Sequence, residues 1–243
     1  MQNGQQEIDD RMAHAPAHMR ALGSTEHLFW LLDQNRPTHF AMVAEIDRRF
    51  APGAWRAAFQ ALQRRHPLLS SCIAIDAQQN SAFHSVPGAT VPLRVIEHDA
   101  TSWQAETARE IATRFDWATA PLLRATLLQR ESTSALILVA HHSVLDGMGA
   151  AYLIEELLRT LTGEYAAPLP LVQSLETLLE ADLNDAAVLP APRAAPQPKP
   201  FRADTPELPH VDAVALSTEA TRRIAARAAR AHDRARRTCR GRS

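Results

Sequence analysis

One stretch constrains this chain more than any other: the run Ala135–Ala140, ALILVA, is apolar without alternation and leads straight into His141-His142-Ser143-Val144-Leu145-Asp146-Gly147-Met148-Gly149. A strand with no polar face must be covered on both sides, so this run demands a central strand with a layer above it and another below. Beyond the glycines, Leu153, Ile154, Leu157, Leu158 and Leu161 recur at helical spacing, while Glu155, Glu156 and Arg159 supply a wet face. This predicts a helix over about Ala150–Thr162, with Gly163 as its stop. Two histidines are thereby delivered to a strand end, where a rigid element fixes side chains just as the backbone opens to solvent.

Upstream of this run, Ser24 and Thr25 can cap a helix bearing Leu28, Phe29, Leu31 and Leu32 along one side, and HFAMVAEI (His39–Ile46) has the pattern of a strand. Pro52 and Gly53 break the chain before a helix, Ala54–Arg65, that carries Trp55, Ala58, Phe59 and Leu62 and ends at His66-Pro67. Strands are expected at Leu68–Ile75, Ala82–Val86, Pro92–Ile96 and Leu122–Gln129, with a helix at Ser102–Phe115 and another near Leu171–Glu180. Between Pro190 and Pro209 lie seven of the 16 prolines, the pattern of an extended crossover. Val211–Leu216 then resembles a strand, and Ser217 can cap a last helix.

At 243 residues and 46% hydrophobic, the chain can bury a real core, which excludes disordered, collagen-like and disulfide-scaffold classes. Cys72 and Cys239 are read as free thiols of a reducing compartment. No apolar stretch approaches a membrane span and the start MQNGQQEIDDRMAHAP lacks a signal-peptide pattern, so a soluble, cytoplasmic protein is expected. The net charge of −1 hides nine arginines against one acid over residues 221–243, leaving −9 over residues 1–220. Arg223, Arg227, Arg230, Arg234 and Arg237 would stripe a helix, but no aromatic residues interleave to stack bases, so no specific nucleic-acid binding is expected.

The histidine pair admits several readings from residue type alone. A histidine near its ordinary pKa can act as general base, taking a proton from a hydroxyl or amine as that group attacks a carbonyl. Buried histidines can also be satisfied core residues. His141, His142 and Asp146 are competent zinc ligands, yet neighbouring residues of a strand point to opposite faces, so no metal site is expected. The His-x4-Asp spacing of glycerolipid acyltransferases is matched as well, again with a histidine base.

The longer segment AHHSVLDGMGAAYLIEELL resembles the HHxxxDG motif and following helix of the condensation-domain and chloramphenicol-acetyltransferase-like superfamily. Within it, the chain is most similar to free-standing alcohol acetyltransferases and polyketide-associated acyltransferases. Leu22-Gly23-Ser24-Thr25-Glu26 is similar to the family's N-terminal segment, Arg65-His66-Pro67-Leu68-Leu69 to its RHPxL signature, and Phe115 with Pro121-Leu122-Leu123-Arg124 to its F…PLLR segment. These matches run in order from about residue 20 to residue 165.

The resemblance implies an α/β fold, an α+β two-layer sandwich, forming a chloramphenicol-acetyltransferase-like lobe with a mixed sheet and flanking helices. It implies an acyltransferase that moves an acyl group from a coenzyme A or carrier-protein thioester to an alcohol or amine. His142 would be the catalytic base and His141 a supporting residue. Asp146 would be structural, bonded to an arginine, and Gly147 would permit the tight turn. Many relatives place that arginine five residues after the Arg of RHPxL; here the position is Ser70, and Arg124 is the substitute partner. No tightly bound cofactor and no metal are implied.

The domain reading is a first lobe over residues 1–180, the crossover over 181–210 and the opening of a second lobe over 211–243. The DFGWG-type motif of the family's second lobe does not occur. The loss of apolar pattern after Ala231 suggests a shifted frame or premature end near residue 232. A non-catalytic alternative follows, a truncated remnant that binds a carrier protein or self-associates through an uncovered lobe face.

Overall fold

The computed structural model describes residues 16–97 and 102–178. Seven strands form two sheets: β1 (Ala17–Ala21), β4 (Ser81–Ser85) and β3 (Ser71–Ile75) make an antiparallel sheet in the order β1-β4-β3, and β2 (Phe40–Ile46), β7 (Ser134–Ala140), β6 (Leu123–Gln129) and β5 (Leu93–Glu97) a mixed one in the order β2-β7-β6-β5. Four helices flank them, α1 (Ser24–Asn35), α2 (Pro52–Arg65), α3 (Trp103–Ala112) and α4 (Gly147–Leu161). This is the mixed α/β architecture the sequence pattern and the resemblance anticipated, with a small second sheet added.

Strand β7 lies inside the larger sheet, pairing antiparallel with both β2 and β6. Leu136 and Leu138 enter a core shared with Trp55, Phe59 and Leu62 of α2 and Leu153, Ile154 and Leu157 of α4. Ile137 and Val139 face the opposite side, among Leu128, Ile96, Trp103 and Phe115. The absence of polar alternation in ALILVA thus has its cause in two apolar layers. Strands β5 and β6 run parallel, a geometry that requires a crossover, and α3 supplies it.

Element ends follow local chemistry. Pro52 opens α2, where its missing N–H costs nothing. The residue before Pro67 cannot easily stay helical, and His66 is extended, at φ −114° and ψ 96°. Helix α4 ends in a Schellman arrangement: Gly163 N–H donates to Thr160 O at 3.1 Å and Glu164 N–H to Arg159 O at 2.9 Å. Gly163 sits at φ +94°, where a side chain would be strained, so the expected stop is realised through its backbone.

Several expectations require correction. Leu68–Ser70 of the run read as strand Leu68–Ile75 belong instead to a 3-10 turn, Pro67–Ser70, opened by the proline just before the run, and the strand begins at Ser71. The cap of α1 is Gly23, not Ser24 or Thr25; Glu26 Oε2 accepts the Gly23 N–H at 2.7 Å, and Thr25 donates to Glu176. That helix buries Trp30 and Asp33, while Leu28, Leu31 and Leu32 are 52%, 43% and 47% exposed, so of its four expected apolar positions only Phe29 is half-buried. Of the helix read near Leu171–Glu180, residues 175–178 are helical. The Pro-rich crossover, the strand Val211–Leu216, the arginine stripe and Cys239 lie outside the described residues, and Cys72 is a buried free thiol. Among the described residues, no helix is long and apolar enough to cross a membrane.

Candidate active site

The site is built where β7 stops at Ala140. The chain turns through residues 141–146, with Val144 N–H on His141 O at 3.0 Å, and re-enters helix α4. Asp146 is the cap of that helix: its Oδ1 accepts the Gly149 N–H at 2.6 Å. The pairing of Asp146 with Arg124 is not formed. Arg124 Nε donates to Glu110 Oε2 at 2.8 Å, its Nη2 to the carbonyls of Glu110 and Thr113, and its guanidinium lies 4.1 Å from the Phe115 ring centre. Topology is the reason, since Arg124 opens β6 against the end of α3. The steric demand for glycine falls on Gly149, where a Cβ would come within 2.9 Å of Leu145 Cδ1; a Cβ on Gly147 would meet open space. Ser70, in the position of the family's arginine, takes a hydrogen bond from Gln63 Nε2 at 3.2 Å.

Replacing Asp146 by alanine is expected to cost about 1 kcal/mol, the usual worth of a helix cap, and Asp146→Asn only a few tenths. Chemical denaturation of the two variants measures this directly. Equal losses would show that the carboxylate charge, not capping, is what matters.

His141 is fully buried. Its Nδ1 accepts the Ser143 N–H at 3.2 Å, and its Nε2 lies 3.6 Å from Asp33 Oδ2. Burial pushes its pKa below the ordinary histidine value, with Asp33 acting in the opposite direction. His142 occupies a different setting. Its ring stacks on Phe29, centroids 4.3 Å apart at an angle of 11°, and is flanked by Phe40 at 4.7 Å. Its Nδ1 has no hydrogen-bond partner. Burial lowers its pKa as well, with the Asp146 charge opposing.

His142 lies on the wall of a cavity of about 420 Å³. Phe29, Leu68, Leu69, Val144, Leu145, Leu153 and Leu169 give that cavity a mostly apolar lining; Tyr152, His66 and Glu156 are among its polar points. His66 Nε2 meets Glu156 Oε2 at 2.9 Å, and Glu156 also pairs with Arg65. One wall comes from the segment after α4, tied back by Leu169 N–H on Arg65 O at 2.9 Å and by Arg20 Nε on Val172 O at 2.8 Å. Among the described residues, no group of three or more His, Cys, Asp or Glu side chains could hold a metal ion.

Sequence reasoning missed Asp33, Phe40 and Tyr152. Phe29 and Asp33 stand four apart on α1, one above the other, and this spacing was the available signal.

His39 and His141 are both buried and both held below the ordinary histidine pKa by desolvation. As pH falls through about 6.5 the unfolded chain takes up protons first, so stability is complete above that value and lost below it. The loss reaches about 1.4 kcal/mol per pH unit for each histidine until its folded pKa is passed. Urea midpoints near pH 7.5 and pH 5.5 test the sign; equal midpoints would contradict it.

Comparison with known proteins gives a consistent family. A family model described as Condensation domain matches residues 29–173. Phosphinothricin tripeptide synthetase PhsC of Streptomyces viridochromogenes is 32% identical over 167 residues, 62% of this chain and 15% of that protein. AMB antimetabolite synthetase AmbE of Pseudomonas aeruginosa is 32% identical over 133 residues, 51% of this chain and 6% of that protein. Among solved structures, the first condensation domain of the calcium-dependent antibiotic synthetase, in complex with a substrate analogue, superposes with a TM-score of 0.57 at 22% identity. The superposition covers 69% of this chain and 44% of that one. Polyketide synthase associated protein 5 from Mycobacterium tuberculosis gives a TM-score of 0.52 at 23% identity, over 68% of this chain and 40% of that one. At these identities the structures bear on the fold. The chain spans less than half the length of either solved relative and a small part of either synthetase.

Proposed function

Because the chain belongs to the condensation-domain family, we propose that it takes part in acyl transfer from a thioester to an amine or alcohol, with His142 as the general base. The observation that carries this reading is the setting of His142: a half-buried imidazole stacked on Phe29 at the wall of a mostly apolar cavity. In the proposed step the acceptor N–H or O–H gives its proton to the imidazole as its nitrogen or oxygen attacks the thioester carbonyl. The tetrahedral intermediate then collapses, the C–S bond breaks, and the imidazolium returns the proton to the departing thiolate. No acyl-enzyme is needed. The neighbouring hydroxyl, Ser143 Oγ, is 2.8 Å from Glu26 O and donates to it, in keeping with a role in holding the turn.

The acyl portion of the donor would lie among Phe29, Leu69, Leu145 and Leu153, whose apolar surfaces suit a hydrocarbon chain. The thioester would be carried by coenzyme A or by a carrier protein, the latter in line with the synthetase relatives. Asp146 would serve by anchoring α4, with His141 beneath the catalytic ring. The exposed leucines of α1 favour a second reading, a non-catalytic module that binds a carrier protein or a further copy through this face. Acyl transfer from both thioester types, with and without His142→Ala, separates the two. Activity that the substitution leaves unchanged would eliminate the base.

A further inference from the structure

We propose that Asp33 is a positioning residue for His142: it selects the tautomer of His141 and, with Phe29 one helical turn earlier, holds the histidine pair against a single face of α1. The inference rests on the reading of His142 as the base, but the geometry behind it stands independently of turnover.

Asp33 is only 3% exposed, and a buried carboxylate is rare unless it has partners. Its Oδ1 accepts the Thr38 N–H at 2.7 Å and the Thr38 hydroxyl at 3.3 Å, and its Oδ2 faces His141 Nε2 at 3.6 Å, an electrostatic approach beyond hydrogen-bond distance to a buried nitrogen that has no other partner. His39 Nδ1 stands 3.9 Å from Oδ1, and Arg114 donates to the Asp33 backbone carbonyl at 3.2 Å. On the far side of its ring, His141 Nδ1 accepts the Ser143 N–H. A neutral imidazole has one N–H, so this acceptor role places the proton on Nε2, toward the carboxylate. The other tautomer would set two N–H groups against each other at Ser143 and a lone pair against Asp33. Asp33 therefore favours the form of His141 that closes the turn at Ser143.

The consequence reaches His142 from two sides. Ser143 is pinned by its amide to His141 and by its hydroxyl to Glu26 O at 2.8 Å, while the His142 ring is stacked on Phe29. Glu26, Phe29 and Asp33 all belong to α1. One helix thus sets the turn and the ring together.

Asp33→Asn is a sharp probe. The Thr38 N–H retains the amide oxygen, which leaves the amide NH2 facing His141 Nε2, a donor where an acceptor stood. In protein carrying 15N-labelled histidine, long-range proton–nitrogen correlation should show His141 protonated on Nε2 in the wild type and shifted toward the Nδ1–H form in Asp33→Asn. Turnover of the thioester assay should fall about tenfold with KM unchanged, as expected when a base is misoriented but substrate contacts remain. Thr38→Val, which removes the hydroxyl contacts to Asp33 Oδ1 and to the Phe29 carbonyl but keeps the Thr38 N–H on the carboxylate, should leave the tautomer as it was, and Asp33→Glu should preserve Nε2–H. A wild-type His141 protonated on Nδ1 would overturn the proposal, and so would an unchanged tautomer in Asp33→Asn. The wild-type spectrum decides the first point even if the Asn variant does not fold. A chain without acyl-transfer activity in any form would remove the assignment of His142 while leaving the tautomer result to be read by itself.

Discussion

His142→Ala is expected to lower acyl-transfer turnover by about 10²–10⁴-fold, the range over which a positioned general base contributes. The fold should survive the change. His142 is partly exposed, its Nδ1 has no partner to strand, and the substitution withdraws a ring from Phe29 and Phe40 without opening the main core between the larger sheet and α2 and α4. Loss of rate with unchanged unfolding midpoint is therefore the outcome that identifies chemistry, and an equal loss of both would point to packing. His142→Gln should be as slow as His142→Ala, because an amide can hydrogen-bond to the acceptor but cannot take its proton. If glutamine restored the rate, orientation of the acceptor would be the whole contribution.

Leu138→Ala is expected to destabilise the protein by about 2–5 kcal/mol, a large part of a typical total of about 5–15 kcal/mol. Leu138 is 1% exposed and sits in β7 between Met42 on one neighbour and Ala125 on the other, its side chain among those of α2 and α4. The truncation removes apolar contact and leaves a void that a strand bonded on both edges cannot easily close. Denaturant unfolding measures the loss. Glu45→Ala, at the exposed position of β2, is the matched control and should stay within about 0.5 kcal/mol. A cost below 1 kcal/mol for Leu138→Ala would mean that this layer is far less tightly packed than it stands here.

What could be read from the sequence follows where side-chain pattern, and not pairing partner, decides the outcome. ALILVA reveals its place because both of its faces are buried, and Trp55, Phe59 and Leu62 reveal theirs because an amphipathic helix repeats its contact with every turn. Strand β1, Ala17–Ala21, has no such signature: among the described residues it is an edge paired only with β4, and its side chains are exposed or half-buried. Helix α1 was misjudged in orientation because its leucines sit outside while Trp30 and Asp33 turn inward. The histidine pair and its turn were legible as a motif. The partners of Asp146 and Arg124 were not, since each depends on which element ends beside it: Asp146 on its own helix, Arg124 on Glu110 of α3. Asp33 approaches His141 from more than a hundred residues away along the chain, a proximity that only the tertiary structure creates.

The register of the larger sheet also sets an order of events. Phe40 is the ladder partner of Ala140, and Ile46 of Ser134, so β2 and β7 meet across nearly a hundred residues of intervening chain. During synthesis β2 emerges well before β7, its ladder partner among the described residues. Closing so long a loop is entropically costly, and chains dominated by such contacts fold slowly. The histidine turn, which begins one residue beyond β7, is consequently tied to the longest-range pairing among the described strands: His142 meets Phe40 only where β2 and β7 have paired.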